Sequence, residues 1–378
     1  MWNRVRLVAG LAILSAASLA GQEQSIPQSA IKVNLPDNSP LGFVSLSSDS
    51  RSTARGAALV LDLHMSLMLR NSTKSRIHGV SLRVVAQEAT LGGKGSVTYP
   101  SLNVGPDETL PVRIEMQLLR PSQIAVGPLV QVDLDGVLFE NLAFFGPDRL
   151  NSRRTLTACD LEARRDREHF KRILAQGGTE ALAREMRDSL ARQADSGQLT
   201  VAVSRAGRSV TSAAVPEHSA EFAFLQFPDS PIEPVKGSAL IAGNEARAPQ
   251  VEVRNRGSRA VKYVEMGWLI SDSSNAQYMA GSLPSADRNM LLAPGKTTSL
   301  TQDMVLNFTS KGRPVSVQRM VGFVNQVEFE DGKMWVPNRE SLAKASLLKV
   351  LPPSAEEQRL ADIYLRRGVA AVAAELNK

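Results

Sequence analysis

Leu59-Val60-Leu61-Asp62-Leu63-His64-Met65-Ser66-Leu67-Met68-Leu69, followed by Arg70-Asn71, is the stretch on which the fold turns. Asp62, His64 and Ser66 alternate with Leu61, Leu63, Met65 and Leu67. A period of two puts one face of a strand toward a core and the other toward water. The run divides into strands at 59–63 and 65–69, or makes one longer strand. A polar turn and a second apolar run at 80–85 follow, and further runs at 112–116 and 129–134 are of strand length. Gly, Pro, Asn, Asp and Ser separate most of them, as they do in sheets of short antiparallel strands.

Val251-Glu252-Val253-Arg254-Asn255 alternates in the same way and ends in the same Arg-Asn pair. Arg70-Asn71 with Ile77, Val80 and Leu82 thus recurs as Arg254-Asn255 with Val261, Val264 and Met266, a shift of 184 positions. Leu35-Pro36-Asp37-Asn38-Ser39 matches Val215-Pro216-Glu217-His218-Ser219 at a shift of 180. Val104-Gly105-Pro106-Asp107-Glu108 matches Leu292-Ala293-Pro294-Gly295-Lys296 at 188. The run from Val132 to Phe139 resembles that from Val327 to Trp335, which places Asp135-Gly136 on Asp331-Gly332 and predicts a hairpin turn at both. A shift that grows in small steps is what loop insertions in a duplicated unit produce.

Beyond each Asp-Gly the pattern turns helical. Residues 161–175 are dense in charge, with Phe170, Ile173 and Leu174 at helical spacing, and Leu182, Met186 and Leu190 continue beyond Gly177-Gly178. In the second half Ser354-Ala355-Glu356-Glu357 is a capping box, with Leu360, Ile363 and Tyr364 behind it and Val372 and Leu376 beyond Gly368. Residues 178–186 and 368–376 are related by a shift of 190, which falls out of the rising series.

A strand ending in Arg-Asn, a polar turn and a second apolar strand looks like the hairpin of an immunoglobulin-like or fibronectin-like β-sandwich, without the cysteine pair of antibody domains. The fold class expected is mainly β with helical segments (α+β): two tandem immunoglobulin-like or fibronectin-like β-sandwich units, each followed by helices. The boundaries expected are a signal peptide at 1–20, a polar leader at 21–34, a first unit with its helical tail at 35–195, a linker or extra strand at 196–214, and a repeat-related second unit with a C-terminal helix at 215–378.

The N-terminus supports export. Arg4 and Arg6 precede an uncharged apolar run at 7–19, and Ser18-Leu19-Ala20 offers small residues to a signal peptidase, so cleavage after Ala20 is expected. The run is short of the roughly 20 residues that span a bilayer. A retained anchor is the alternative, settled by the N-terminus of the mature chain. No transmembrane span is expected in the mature chain, which is placed in the periplasm or outside the cell. Cys159 is the one cysteine, so no internal disulfide forms. Formal net charge is +6, or +4 without Arg4 and Arg6, and aromatics make up 5% of the chain. That balance does not suit a nucleic-acid binder, which needs clustered cations beside stacking rings.

No constellation compels a chemistry. His64, His78, His169 and His218 show no close metal-ligand spacing. His64 reads as the solvated face of a strand and His169 as part of a charged helix. Cys159 lacks a nearby histidine and reads as a small residue at a helix start rather than a nucleophile. Leu91-Gly92-Gly93-Lys94-Gly95-Ser96 lacks the spacing of a phosphate loop. Asp133, Asp135, Glu328, Glu330 and Asp331 are the acids a glycosidase or calcium site would draw on, although Asp before Gly is also what a turn selects. Catalytic residues are therefore unknown, and no metal or cofactor is expected. The function expected is an exported non-enzymatic binding or structural component of the cell envelope or extracellular space, its partner another protein or a cell-surface polymer. An extracellular hydrolase using the hairpin carboxylates is the alternative.

Overall fold

The computed structural model describes residues 23–123, 127–195, 199–205, 216–284, 290–301 and 304–377, so the expected signal peptide lies outside the described residues. The chain is mainly β, with 46% strand against 23% helix.

In chain order the first half forms β1 (Glu23–Ser25), β2 (Ile31–Asn34), β3 (Leu41–Ser48), β4 (Arg51–Arg55), β5 (Ala58–Asn71), β6 (Ile77–Val85), β7 (Lys94–Tyr99), β8 (Thr109–Pro121), β9 (Val130–Phe139) and β10 (Phe144–Phe145). One sheet runs β1-β4-β5-β3 with β8 also on β5, and another runs β10-β9-β6-β7 with β2 parallel on β9. The stretch at 59–69 is a single strand. Leu61, Leu63, Met65, Leu67 and Leu69 are buried along β5, as its alternation requires. Residues 23–34, expected as leader, instead supply β1 and β2.

The helix α1 (Ser152–Asp195) follows, interrupted at Gly178. The second half then forms β11 (Thr200–Arg205), β12 (His218–Glu221), β13 (Ala223–Phe224), β14 (Ile232–Ala242), β15 (Glu245–Asn255), β16 (Val261–Ser271), β17 (Gln277–Pro284), β18 (Thr297–Thr301), β19 (Met304–Ser310), β20 (Arg313–Pro314), β21 (Arg319–Phe329) and β22 (Met334–Trp335). The helices α2 (Arg339–Lys344), α3 (Ala355–Arg367) and α4 (Val369–Leu376) close the chain. Within the window expected as a linker or extra strand, Thr200–Arg205 is the strand β11, antiparallel on β19. One sheet runs β11-β19-β15-β14-β12 with β18 and β20, and the other β13-β21-β16-β17 with β22. A single buried cluster takes Val251, Val253 and Phe308 from the former and Val264, Trp268 and Val324 from the latter. On the far face of β16 and β21, Leu269 and Phe323 pack with Leu342 and Leu347. These two strands are buried on both faces, which explains their nearly continuous apolar sequence.

The chain divides into two compact units. One comprises the described parts of Met1–Lys74, Ser81–Val97 and Val104–Asp135, and the other Ser75–Val80, Thr98–Asn103 and Gly136–Lys378. Helix α1, expected as the tail of the first unit, belongs to the second.

The Arg-Asn match has a physical basis. Asn71 and Asn255 are both fully buried. Asn71 Nδ2 donates to the carbonyls of Val104 and Gly105 at 3.1 and 3.0 Å. Asn255 Nδ2 donates to those of Leu292 and Arg259, both at 2.9 Å. Their backbones are tied alike: Asn71 N to Glu108 O and Asp107 N to Asn71 O, Asn255 N to Lys296 O and Gly295 N to Asn255 O. Each side-chain oxygen accepts from the N–H two residues on, that of Thr73 or Gly257.

The Asp-Gly alignment is corrected. Asp331-Gly332 does sit in the turn joining β21 and β22, but Asp135-Gly136 lies inside β9. Gly136 is required there because a Cβ would stand 2.4 Å from Cζ of Phe144, not because the chain turns. The matching turn is Glu140-Asn141-Leu142. Phe139 N donates to Ala143 O as Phe329 N donates to Lys333 O, each at 2.9 Å. The shift there is 190, the same as that of the helices. The first block is also reassigned. Pro36-Asp37-Asn38-Ser39-Pro40-Leu41 corresponds to Pro228-Asp229-Ser230-Pro231-Ile232, where Ser39 and Ser230 hydroxyls accept from Leu41 and Ile232 N–H groups at 3.0 and 3.2 Å.

Candidate functional site

Within the second unit a cavity of about 350 Å³ opens between α1, α2 and the start of α3, with Met279 of β17 and Asn325 of β21 also on its wall. Ser354 starts α3 there, its hydroxyl accepting from Glu357 N at 3.2 Å as the capping box predicts. The cap turns Glu357 toward Arg339 at the beginning of α2.

Arg339 is buried and links three elements. Its Nη1 donates to Asp166 Oδ1 at 2.9 Å and to Glu357 Oε2 at 3.0 Å, while Nη2 lies 3.4 Å from Glu185 Oε1. Its Nε is buried without a partner. Arg165 forks onto Asp166 at 2.9 and 3.0 Å and donates to Pro337 O at 3.0 Å. Arg192 bridges Glu357 at 3.0 Å and Glu185 at 3.3 Å, and Ser189 Oγ donates to Glu357 at 2.6 Å. Three guanidinium groups thus face three carboxylates.

Burial by itself would raise each carboxyl. For Asp166 the bonds and charge of Arg165, with Arg339, overcome it and lower the pKa. Arg339 and Ser189 do the same for Glu357. His169, Arg192 and Arg339 take Glu185 down to about 2. All three stay ionised at neutral pH. Glu162 behaves oppositely: burial, with Asp166 and Glu265 nearby, raises it against the pull of Arg165. Burial next to Glu162 pushes the Cys159 thiol up to about 12. Cys159 is therefore held as the thiol, which is not the nucleophilic form.

The acids considered from sequence are placed separately. Asp133 accepts from Asn34 and Gln131 at 3.1 and 2.6 Å and lies 3.6 Å from Arg83. Asp135 is buried in β9. Glu328 is clamped between Arg154 and Lys262, both at 2.9 Å. Glu330 is exposed, and Asp331 accepts from Lys333 N and Arg259 in its turn. Among the described residues no three His, Cys, Asp or Glu side chains are grouped to hold a metal. His64 is exposed as expected, but His169 is partly buried, 3.3 Å from Glu185. Sequence reasoning misses Arg339, Asp166, Glu185 and Glu357 as a set. A signal for it exists: at the 190 shift, Phe170 falls on Leu360, His169 on Arg359 and Glu185 on Glu375. Arg359 pairs with Glu375 at 2.8 Å as His169 pairs with Glu185.

No family model matches the chain, and no curated protein matches it. Solved structures similar over part of their course include a Bordetella pertussis protein given the name ApaA and a second, pT26-6p. The former is 18% identical, covers 38% of this chain and 91% of its own, and has a TM-score of 0.18. The latter is 8% identical over 88% of this chain and 73% of its own, with a TM-score of 0.17. Likeness at that level carries no argument about fold or function.

Proposed function

We propose that this chain is an exported, non-enzymatic binding or structural component of the cell envelope or extracellular space, built by duplication of an immunoglobulin-like or fibronectin-like unit with a helical tail. The observation that carries the non-enzymatic reading is the internal pairing of the cavity's charges: Arg165, Arg192 and Arg339 are each engaged by Asp166, Glu185 or Glu357. A guanidinium bound to a buried carboxylate is poorly placed to take a substrate, and a thiol held near 12 is poorly placed to attack one. The placement of Asp135 inside a strand and of Glu328 between two cations weighs against a pair of hydrolytic acids. Duplication is supported by the twin hydrogen-bond sets of Asn71 and Asn255 and by the twin turns at Phe139 and Phe329.

The test is fractionation of cells producing the full chain, with N-terminal sequencing of the recovered protein. The expected result is a periplasmic or secreted chain starting at Gly21. A chain retained in the cytoplasm with residues 1–20 intact would overturn the reading, and a membrane-bound chain still carrying them would replace cleavage by anchoring.

A further inference from the structure

One side of β8 is paired along β5, from Thr109 opposite Arg70 to Pro121 opposite Ala58, without a break in register. Among the described residues no strand pairs with its other side. Leu119 N–H points to that side, where it donates to Gly92 O at 2.9 Å. Successive residues of an antiparallel strand aim their backbone groups at opposite edges, so Gln117, Glu115 and Arg113 offer N–H and C=O on the side of Leu119. The side chains of these three are exposed, while those of Val112, Ile114 and Leu118 are buried.

The second half fills this edge from its own chain. Thr297 stands opposite Arg254 as Thr109 stands opposite Arg70, so β18 and β19 lie against β15 where β8 lies against β5. On the outer side of β19, β11 runs antiparallel over Thr200–Arg205. A counterpart of β11 in the first half would precede β1 and fall within the expected signal peptide, so a mature chain starting at Gly21 would carry none.

The outward positions of the free edge are Pro111, Arg113, Glu115 and Gln117. Antiparallel pairing with the same edge of a second molecule, about a two-fold axis at Ile114, sets Arg113 of each molecule opposite Glu115 of the other. Both pairs can exchange both of their backbone hydrogen bonds, and Gln117 N–H meets Pro111 O beyond them. Opposite charges facing across a strand pair stabilise it, and like charges oppose it. Moving the axis to Arg113 or Glu115 would put arginine against arginine or glutamate against glutamate, so charge fixes the register. Pro111, which has no N–H, and Leu119, already held by Gly92, end the paired window. Charge on an edge strand ordinarily guards it against pairing. Here the two signs stand two residues apart, which lifts the guard for one partner, the same edge of another molecule.

We infer that β8 is a homodimerisation edge: two mature chains join through antiparallel β8 strands about an axis at Ile114, continuing the sheet across both molecules. The proposal goes beyond the binding reading above and takes from it only the removal of residues 1–20.

The test is sedimentation velocity of the mature chain, starting at Gly21, across a dilution series. A reversible dimer is expected. Arg113→Glu and Glu115→Arg, each of which sets like charges opposite one another, are each expected to weaken it at least about tenfold. The variant carrying both substitutions has opposite signs at both pairs again and is expected to recover the dimer. Melting temperatures of the dilute proteins check that each variant folds. Should a charge variant fail to fold, Glu115→Pro removes an outward N–H while leaving the bonds to β5, and it is expected to be monomeric. A parent chain that is monomeric at every concentration overturns the proposal. So does a dimer that the single variants leave intact or that the double variant fails to recover, since either assigns the contact to another surface. The chain tested already starts at Gly21, so the N-terminal sequencing that tests export holds or fails separately from these outcomes.

Discussion

Asn71 and Asn255 each replace several backbone partners with one side chain. A single amide donates to two carbonyls, both buried for Asn71 and one of them buried for Asn255, and accepts from a backbone N–H, so the chain after each long strand is tied back to a distant loop. Alanine at either position strips partners from groups that water does not reach, at about 1–3 kcal/mol for each group left unsatisfied. Asn71→Ala and Asn255→Ala are each expected to cost about 2–4 kcal/mol in urea unfolding. Asp is the informative control, since it keeps the acceptor but loses the donors, and it is expected to be no milder than Ala. A loss below about 0.5 kcal/mol at either site, the range of an ordinary surface change, would refute the equivalence of the two. These residues were legible because a buried asparagine leaves a fixed letter between two alternating runs. The turn at Leu142 is not: it takes φ 64 with a leucine where the turn after Phe329 has Gly332 at φ 78, so no glycine marks it. Residue chemistry also predicts slow labelling of Cys159. A thiol pushed to about 12 is expected to react with iodoacetamide near neutral pH only as the chain unfolds, and rapid labelling of the native protein would contradict it.

Each helical tail is broken by one glycine. Gly178 has φ 66 and ψ −165, and Gly368 has φ 78 and ψ 179. That region of positive φ with extended ψ is open essentially to glycine alone. No atom lies within 4 Å of a Cβ built at either position, so the cost of alanine is backbone strain without a clash. Gly178→Ala and Gly368→Ala are each expected to destabilise by about 1–3 kcal/mol, read by thermal unfolding followed in the helical circular dichroism band. An unchanged melting temperature would mean that the break can be straightened at no cost. The pattern of Leu182, Met186, Val372 and Leu376 showed both helices from sequence, and the glycines showed where each stops. Which glycine turns the chain was harder to see. Gly136 makes room for the Phe144 ring, whereas Gly332 makes a turn, and the letters Asp-Gly are the same in both. Aligned on those letters the two runs stand 196 positions apart, whereas the matching hydrogen bonds of Phe139 and Phe329 stand 190 apart. The series is not required to rise, because β5 is three residues longer than β15 and its partner is split into β3 and β4.

Within the second unit the two tails close on each other. Phe170, Leu182 and Met186 of α1 share a buried cluster with Leu360, Val372 and Leu376 of α3 and α4, the residues that stand 190 positions beyond them. Contacts of this kind join residues almost two hundred positions apart, so neither tail's sequence reveals what covers its apolar stripe. Above that cluster Glu185 accepts from His169, Arg192 and Arg339, and its carboxyl is held at about 2 against an ordinary 4.5. A lowered folded pKa stabilises the ionised form. The contribution is complete above pH 4.5 and is lost as the pH falls from there toward 2. Its ceiling at neutral pH is about 3 kcal/mol at roughly 1.4 kcal/mol per pKa unit, and less where water reaches the carboxylate. Glu185→Gln should therefore be less stable than the parent near neutrality by an amount no larger than that. The difference should shrink steadily below about pH 4.5, as the parent takes up the proton the variant never binds. Urea titrations of both proteins between neutrality and about pH 3 measure it. A gap independent of pH would show that the glutamate acts by shape alone, and that the charge set around Arg339 does not hold the tails together.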